Sequence, residues 1–84
     1  MLDANEARGR TDKLFLRSQM EELSDYIENA IEAGSYECYN YYPGKIASSE
    51  LFMKLIGALK QKGYEVSVSE PDDDDEVKVV ISWY

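Results

Sequence analysis

The one place where carboxylates crowd in this 84-residue chain is the run Glu70-Pro71-Asp72-Asp73-Asp74-Asp75-Glu76. A hard cation such as Ca²⁺ needs several oxygens held in a closed loop, with alternating acids, a glycine at the sixth position and a glutamate at the twelfth in the EF-hand pattern. That register is missing here. Two catalytic carboxylates would need environments different enough to separate their pKa values, and a loop tip surrounded by water does not supply them. The run reads as a solvated turn whose charge discourages edge-to-edge strand pairing. Histidine does not occur, which removes the commonest general base, the commonest metal ligand and every Ser-His or Cys-His pair. The one cysteine, Cys38, has no basic residue within six positions and reads as a small core residue. Gly44, Gly57 and Gly63 fit neither GxGxxG nor GxxxxGK[ST]. No catalytic residue, metal ligand or cofactor site is expected.

What remains is surface chemistry. Nine Lys/Arg against seventeen Asp/Glu give a net charge of −8. A phosphate backbone is repelled by such a surface, so direct nucleic-acid binding is not expected; cationic proteins are favoured, many of which bind nucleic acid themselves. Charge is also segregated. Arg8, Arg10, Lys13 and Arg17 precede Glu21, Glu22, Asp25, Glu28 and Glu32, with no Lys or Arg from Ser18 to Gly44. This order opposes the helix macrodipole, but it lets an antiparallel copy set basic half against acidic half, the self-complementarity a two-fold dimer uses. The residues assigned to self-association are Arg10, Lys13, Arg17, Met20 and Glu28. Seven tyrosines add amphipathic surface of the kind enriched at interfaces. The surface assigned to a protein partner comprises Glu21, Asp25, Glu28 and Glu32 with Tyr39, Tyr41 and Tyr84.

The elements that position these residues follow from periodicity. Asp3 and Glu6 resemble a capping box and Gly34 a helix-ending glycine. Between them Leu16, Met20, Leu23, Ile27, Ala30 and Ile31 form an amphipathic stripe. The pattern decays before Leu16, so residues 1–12 are expected to be frayed, a separate short helix, or ordered by a partner. Tyr36–Tyr42 reads as a strand, and Pro43-Gly44 as a turn. A second helix is predicted from Ser48 or Ser49 to Gly63, burying Leu51, Phe52, Leu55, Ile56 and Leu59. Tyr64, Val66 and Val68, then Val77, Val79, Ile81 and Trp83, alternate about the acidic turn and predict a β-hairpin. The expectation is one α+β domain over 1–84: a long N-terminal helix, a βαβ unit and a C-terminal hairpin forming a three-stranded mixed sheet with both helices on one face. If Cys38 faces the helices, Tyr39 and Tyr41 face outward beside Val80 and Tyr84.

No basic n-region with an apolar stretch opens the chain, and no apolar run reaches the roughly 18 residues that span a bilayer. A cytoplasmic, soluble protein is expected, and the chain reads as a complete small gene product.

A long charged helix, a strand with Tyr36 and Cys38 after Gly34, the segment Leu59-Lys60-Gln61-Lys62-Gly63-Tyr64-Glu65-Val66 and the ending Val80-Ile81-Ser82-Trp83 together resemble the layout of small proteins encoded by tailed bacteriophages. The resemblance spans most of the chain in layout and short stretches, and brings no catalytic residues with it. It implies a phage or prophage origin, action in the bacterial host cytoplasm, and a role as host-factor inhibitor, anti-defence protein or minor virion component. The function expected is therefore non-enzymatic: an accessory protein acting by binding, as a homo-oligomer and as an acidic inhibitor or decoy of a basic host or defence protein. The alternatives are a structural virion or assembly subunit, and an oligomer that sequesters a small ligand in an interfacial pocket lined by tyrosine and Arg8, Arg10, Lys13 or Arg17.

Overall fold

A computed structural model describes residues 1–84 in full. The chain forms α1 (Ala4–Glu32), β1 (Glu37–Pro43), α2 (Gly44–Ala47), α3 (Glu50–Gln61), β2 (Glu65–Val68) and β3 (Glu76–Ser82). Local chemistry sets the ends of the two main helices. The Asp3 carboxylate accepts the Glu6 backbone N–H at 2.8 Å, satisfying one orphan donor of α1. At the other end Gly34 takes φ 77°, where a side chain would be strained. Its N–H bonds to the Ile31 carbonyl and that of Ser35 to the Ala30 carbonyl, the paired closure of a Schellman motif. The same closure ends α3 at Gly63, and Ser49 is the residue that caps its start by accepting the Phe52 N–H at 3.2 Å.

Alternation in the strands and the helical stripes converge on one core. Leu23 and Ile27 of α1, Phe52, Leu55 and Leu59 of α3, Tyr42 of β1, and Val77, Val79 and Ile81 of β3 are buried together. Both long helices thus cover one face of the sheet, as the α+β layout predicts. Cys38 is half-buried and packs against this cluster.

The sheet order is β1-β3-β2, and both neighbouring pairs are antiparallel. β1 and β2 are therefore parallel to each other, as a βαβ unit requires, but β3 separates them; the expected mixed sheet has no parallel pair of neighbours. The reason lies in composition. Val77, Val79 and Ile81 make β3 the strand with the most apolar inner side, and the central place buries it most completely.

Two further details differ from expectation. Pro43-Gly44 does not make a simple turn: Pro43 ends β1 and one turn of helix, α2, follows. The Ser48 and Ser49 hydroxyls donate to the Lys45 and Ile46 carbonyls and close that turn. Residues 4–12 do not form a separate helix but continue α1, which runs 29 residues, or about 43 Å. Of residues 1–14, only Asp12 is other than exposed. The first three turns of α1 overhang the core, and the molecule measures 49 × 29 × 19 Å.

Candidate protein-binding surfaces

The acidic run is a turn held by one of its own carboxylates. Asp72 accepts the backbone N–H groups of Asp74 and Glu76 at 2.9 and 3.0 Å, an Asx-type arrangement that folds the loop on itself. Within it Asp75 takes φ 57°. The Asp75 carbonyl accepts the Gly44 N–H at 2.6 Å, so the loop is fastened to the start of α2. No group of three or more His, Cys, Asp or Glu is placed to hold a metal ion. Burial pushes the Cys38 thiol above its ordinary value, which leaves it a poor nucleophile near neutral pH.

α1 presents two seams. The inward seam, Leu16-Met20-Leu23-Ile27, packs in or against the core, and Ala30 at its end is half-buried. Met20, one of the residues assigned to self-association, belongs to this seam and is partly covered by its own chain. The exposed surface of the helix carries Arg10, Leu14, Arg17, Glu21, Asp25, Glu28 and Glu32 on the side away from Leu23, with Lys13 and Ile31 on its flank, as a turn of 100° per residue places them. Ile31, expected in the apolar stripe, is exposed and lies outside the core. Arg17 and Glu21 approach to 3.5 Å along this side. The acidic residues assigned to a partner are therefore all in solvent.

The outer sheet face lies on the other side of the molecule. Side chains directly opposite across an antiparallel pair share a face, so Tyr39 stands beside Val80 and Tyr41 beside Lys78. Tyr39 and Tyr41 are 57% and 47% exposed and meet edge to face at 5.8 Å. The Lys78 ammonium sits 4.4 Å from the Tyr39 ring centre. Glu37, Glu76 and Glu65 surround this patch through their pairing with Ser82, Pro43 and Ser82 respectively. Tyr84 leaves the group, because it stacks on Tyr36 at 5.5 Å at the end of the sheet. Sequence reasoning missed Tyr36 and Lys78. The signal for Lys78 was present in the alternation of β3, but its partner depended on register.

The partner residues read from the sequence thus fall on two surfaces back to back: Glu21, Asp25, Glu28 and Glu32 behind the helices, Tyr39 and Tyr41 in front of the sheet. They do not form one contiguous site.

β1 also has an open edge. Backbone bonds from Trp83 N–H to Tyr36 and from Gly44 N–H to Asp75 fix the alternation, so Cys38, Asn40 and Tyr42 bond to β3 while Glu37, Tyr39 and Tyr41 point outward. The Glu37 N–H is taken by Ser35 Oγ at 3.3 Å, and Pro43 has none.

An open groove of about 710 Å³ runs between α1 and the joint of α3 with β2. Met20, Leu23, Ile27 and Leu59 form its floor, with Arg17 and Lys62 among its rim. Arg17 is the one basic residue of the four read for a ligand pocket that reaches it, beside Tyr64; Arg8, Arg10 and Lys13 do not. No helix is long and apolar enough to cross a membrane. No protein-family model matches the chain, and comparison with curated proteins and with solved structures finds no match either.

Proposed function

We propose that the protein works by binding and not by catalysis, as an acidic decoy that captures a basic, nucleic-acid-binding protein in the cytoplasm of a phage-infected bacterium. The observation that carries this reading is the outer sheet face, where Tyr39 and Tyr41 stand exposed with Glu37, Glu65 and Glu76 on the same face and Lys78 already showing, at 4.4 Å from the Tyr39 ring, that the ring takes a cation. Aromatic faces attract guanidinium groups, and the surrounding carboxylates add the charge that a cationic surface seeks. The net charge of −8 extends that attraction over the whole molecule and speeds encounter. The layout resemblance to tailed-phage proteins supplies the setting.

The test is titration of the full chain with a short arginine-rich peptide and with its lysine and glutamate counterparts. The arginine peptide should bind most tightly, the glutamate peptide not at all, and added salt should weaken binding. Tyr39→Ala with Tyr41→Ala should cost about tenfold in affinity with the helical circular dichroism unchanged. Equal affinity for the double variant, or no preference for arginine, would sink the reading.

A further inference from the structure

The exposed side of α1 carries a second stripe as regular as the buried one. Arg10, Leu14, Arg17, Glu21, Ser24, Glu28 and Ile31 follow one another at spacings of four and three, the heptad alternation of a coiled-coil seam, and every one is exposed. Two of them are large apolar residues in water, Leu14 at 64% and Ile31 at 56% exposure. Nothing in the chain itself covers this stripe, and its charges run from basic to acidic.

We propose that a second copy of this chain docks antiparallel along the outer face of α1, in the register that sets Leu14 against Ile31, Arg17 against Glu28 and Lys13 against Glu32 across a two-fold axis.

In this register each layer of the seam meets a chemically matched layer. Leu14 and Ile31 cover one another, Arg17 finds Glu28, and Glu21 faces Ser24; the two-fold repeats each contact. Lys13 and Glu32 flank the apolar layers, where charges tune partner choice. A competing register sets Arg10 against Glu28, Lys13 against Asp25 and Arg17 against Glu21. It makes three ion pairs to the proposed register's two but leaves Leu14 opposite Ser24 and Ile31 opposite Ala7. Both large apolar side chains then stay uncovered, and their burial decides for the proposed register.

The overhang of α1 supports the same arrangement. Its first three turns are exposed apart from Asp12, and a helix with so little tertiary cover is marginal at that length. In the proposed register the far end of the second copy's α1 lies alongside them, with Ile31 on Leu14 and Ser35 near Arg10. The surface is behind the helices and leaves Tyr39 and Tyr41 free, so the inference stands or falls separately from the decoy reading.

The experiment measures mass by light scattering on the full chain and on charge variants. The unaltered protein should appear at twice 9.6 kDa and dissociate as salt rises. Arg17→Glu alone and Glu28→Arg alone should each weaken the dimer about tenfold, since two copies of the contact turn repulsive. The two together should restore it. In the competing register Arg17 meets Glu21, so the combined variant would not recover, and that result overturns the proposal. A monomer at high concentration, or a dimer indifferent to both reversals, overturns it equally. Orientation is read in a Cys38→Ala background by mixing Leu14→Cys with Ile31→Cys. The mixture should oxidise to a cross-linked pair faster than either variant alone, and the reverse order excludes the antiparallel seam. All substituted positions on α1 are exposed, and unchanged circular dichroism separates loss of contact from loss of fold.

Discussion

Tyr42 shows how one polar atom is managed inside a small core. Its ring is buried against Phe52 at 5.4 Å, edge to face, and its hydroxyl donates to Gln19 Oε1 at 2.7 Å. Burial pushes that hydroxyl above the ordinary tyrosine value of about 10, assisted by the negative charge of Glu22 and opposed by Asn40. The neutral form is therefore favoured more in the folded chain than in the unfolded one. The stability this supplies is intact below the unfolded value and is lost as pH rises through it toward the folded one. Tyr42→Phe should cost about 1 kcal/mol at neutral pH by removing the bond to Gln19. It should also flatten the fall in urea midpoint above about pH 10; a decline as steep as before would show that Tyr42 does not contribute to it. The inward place of Tyr42 was not legible from residue type, since it sits among tyrosines that face outward. Residue type is the same at Tyr39, Tyr41 and Tyr42, and only the period of two along β1, once anchored by Cys38, distinguishes them.

At the scale of elements, the helices and the hairpin were legible because their signals are local: Asp3, Gly34, Ser49 and Gly63 do in the structure what their types allow. Strand order was less so, since it depends on which strand the core most needs at its centre. The Gly44 contact is also non-local. A Cβ at Gly44 would lie 2.5 Å from Asp75 Oδ1 and 3.1 Å from the Asp75 carbonyl oxygen, so the backbone must give way along with the side chain. Gly9, by contrast, has nothing within 4 Å of that position. The two glycines should respond oppositely to alanine. Gly44→Ala should destabilise by about 1–3 kcal/mol and loosen the acidic loop, whereas Gly9→Ala should stabilise α1 by about 1 kcal/mol. Urea midpoints of the two variants on the same side of the parent would contradict this account. Nothing in the structure explains why position 9 is glycine.

For the whole molecule, charge is distributed in a way that the total hides. Residues 1–20 hold four Lys/Arg and three Asp/Glu, leaving +1, so the other 64 residues hold −9 of the −8 total. Self-repulsion should limit the stability of a single copy. At a concentration dilute enough to keep copies apart, raising salt should lift the thermal midpoint by a few degrees. Attraction between copies should weaken over the same range, so midpoint and mass should move in opposite senses. A midpoint that falls with salt in the dilute protein would mean that ion pairing outweighs repulsion. The candidate surfaces were partly legible at this scale: the acidic helix and the tyrosine strand could be read from residue types, but their back-to-back placement required the layering of helices on sheet. The open side of β1 has a consequence of another kind. With Glu37 satisfied by Ser35 and Pro43 lacking a hydrogen, only Tyr39 and Tyr41 offer free donors there. An incoming strand would find too few rungs to grow upon, so the sheet is guarded against the stacking that leads to fibrils.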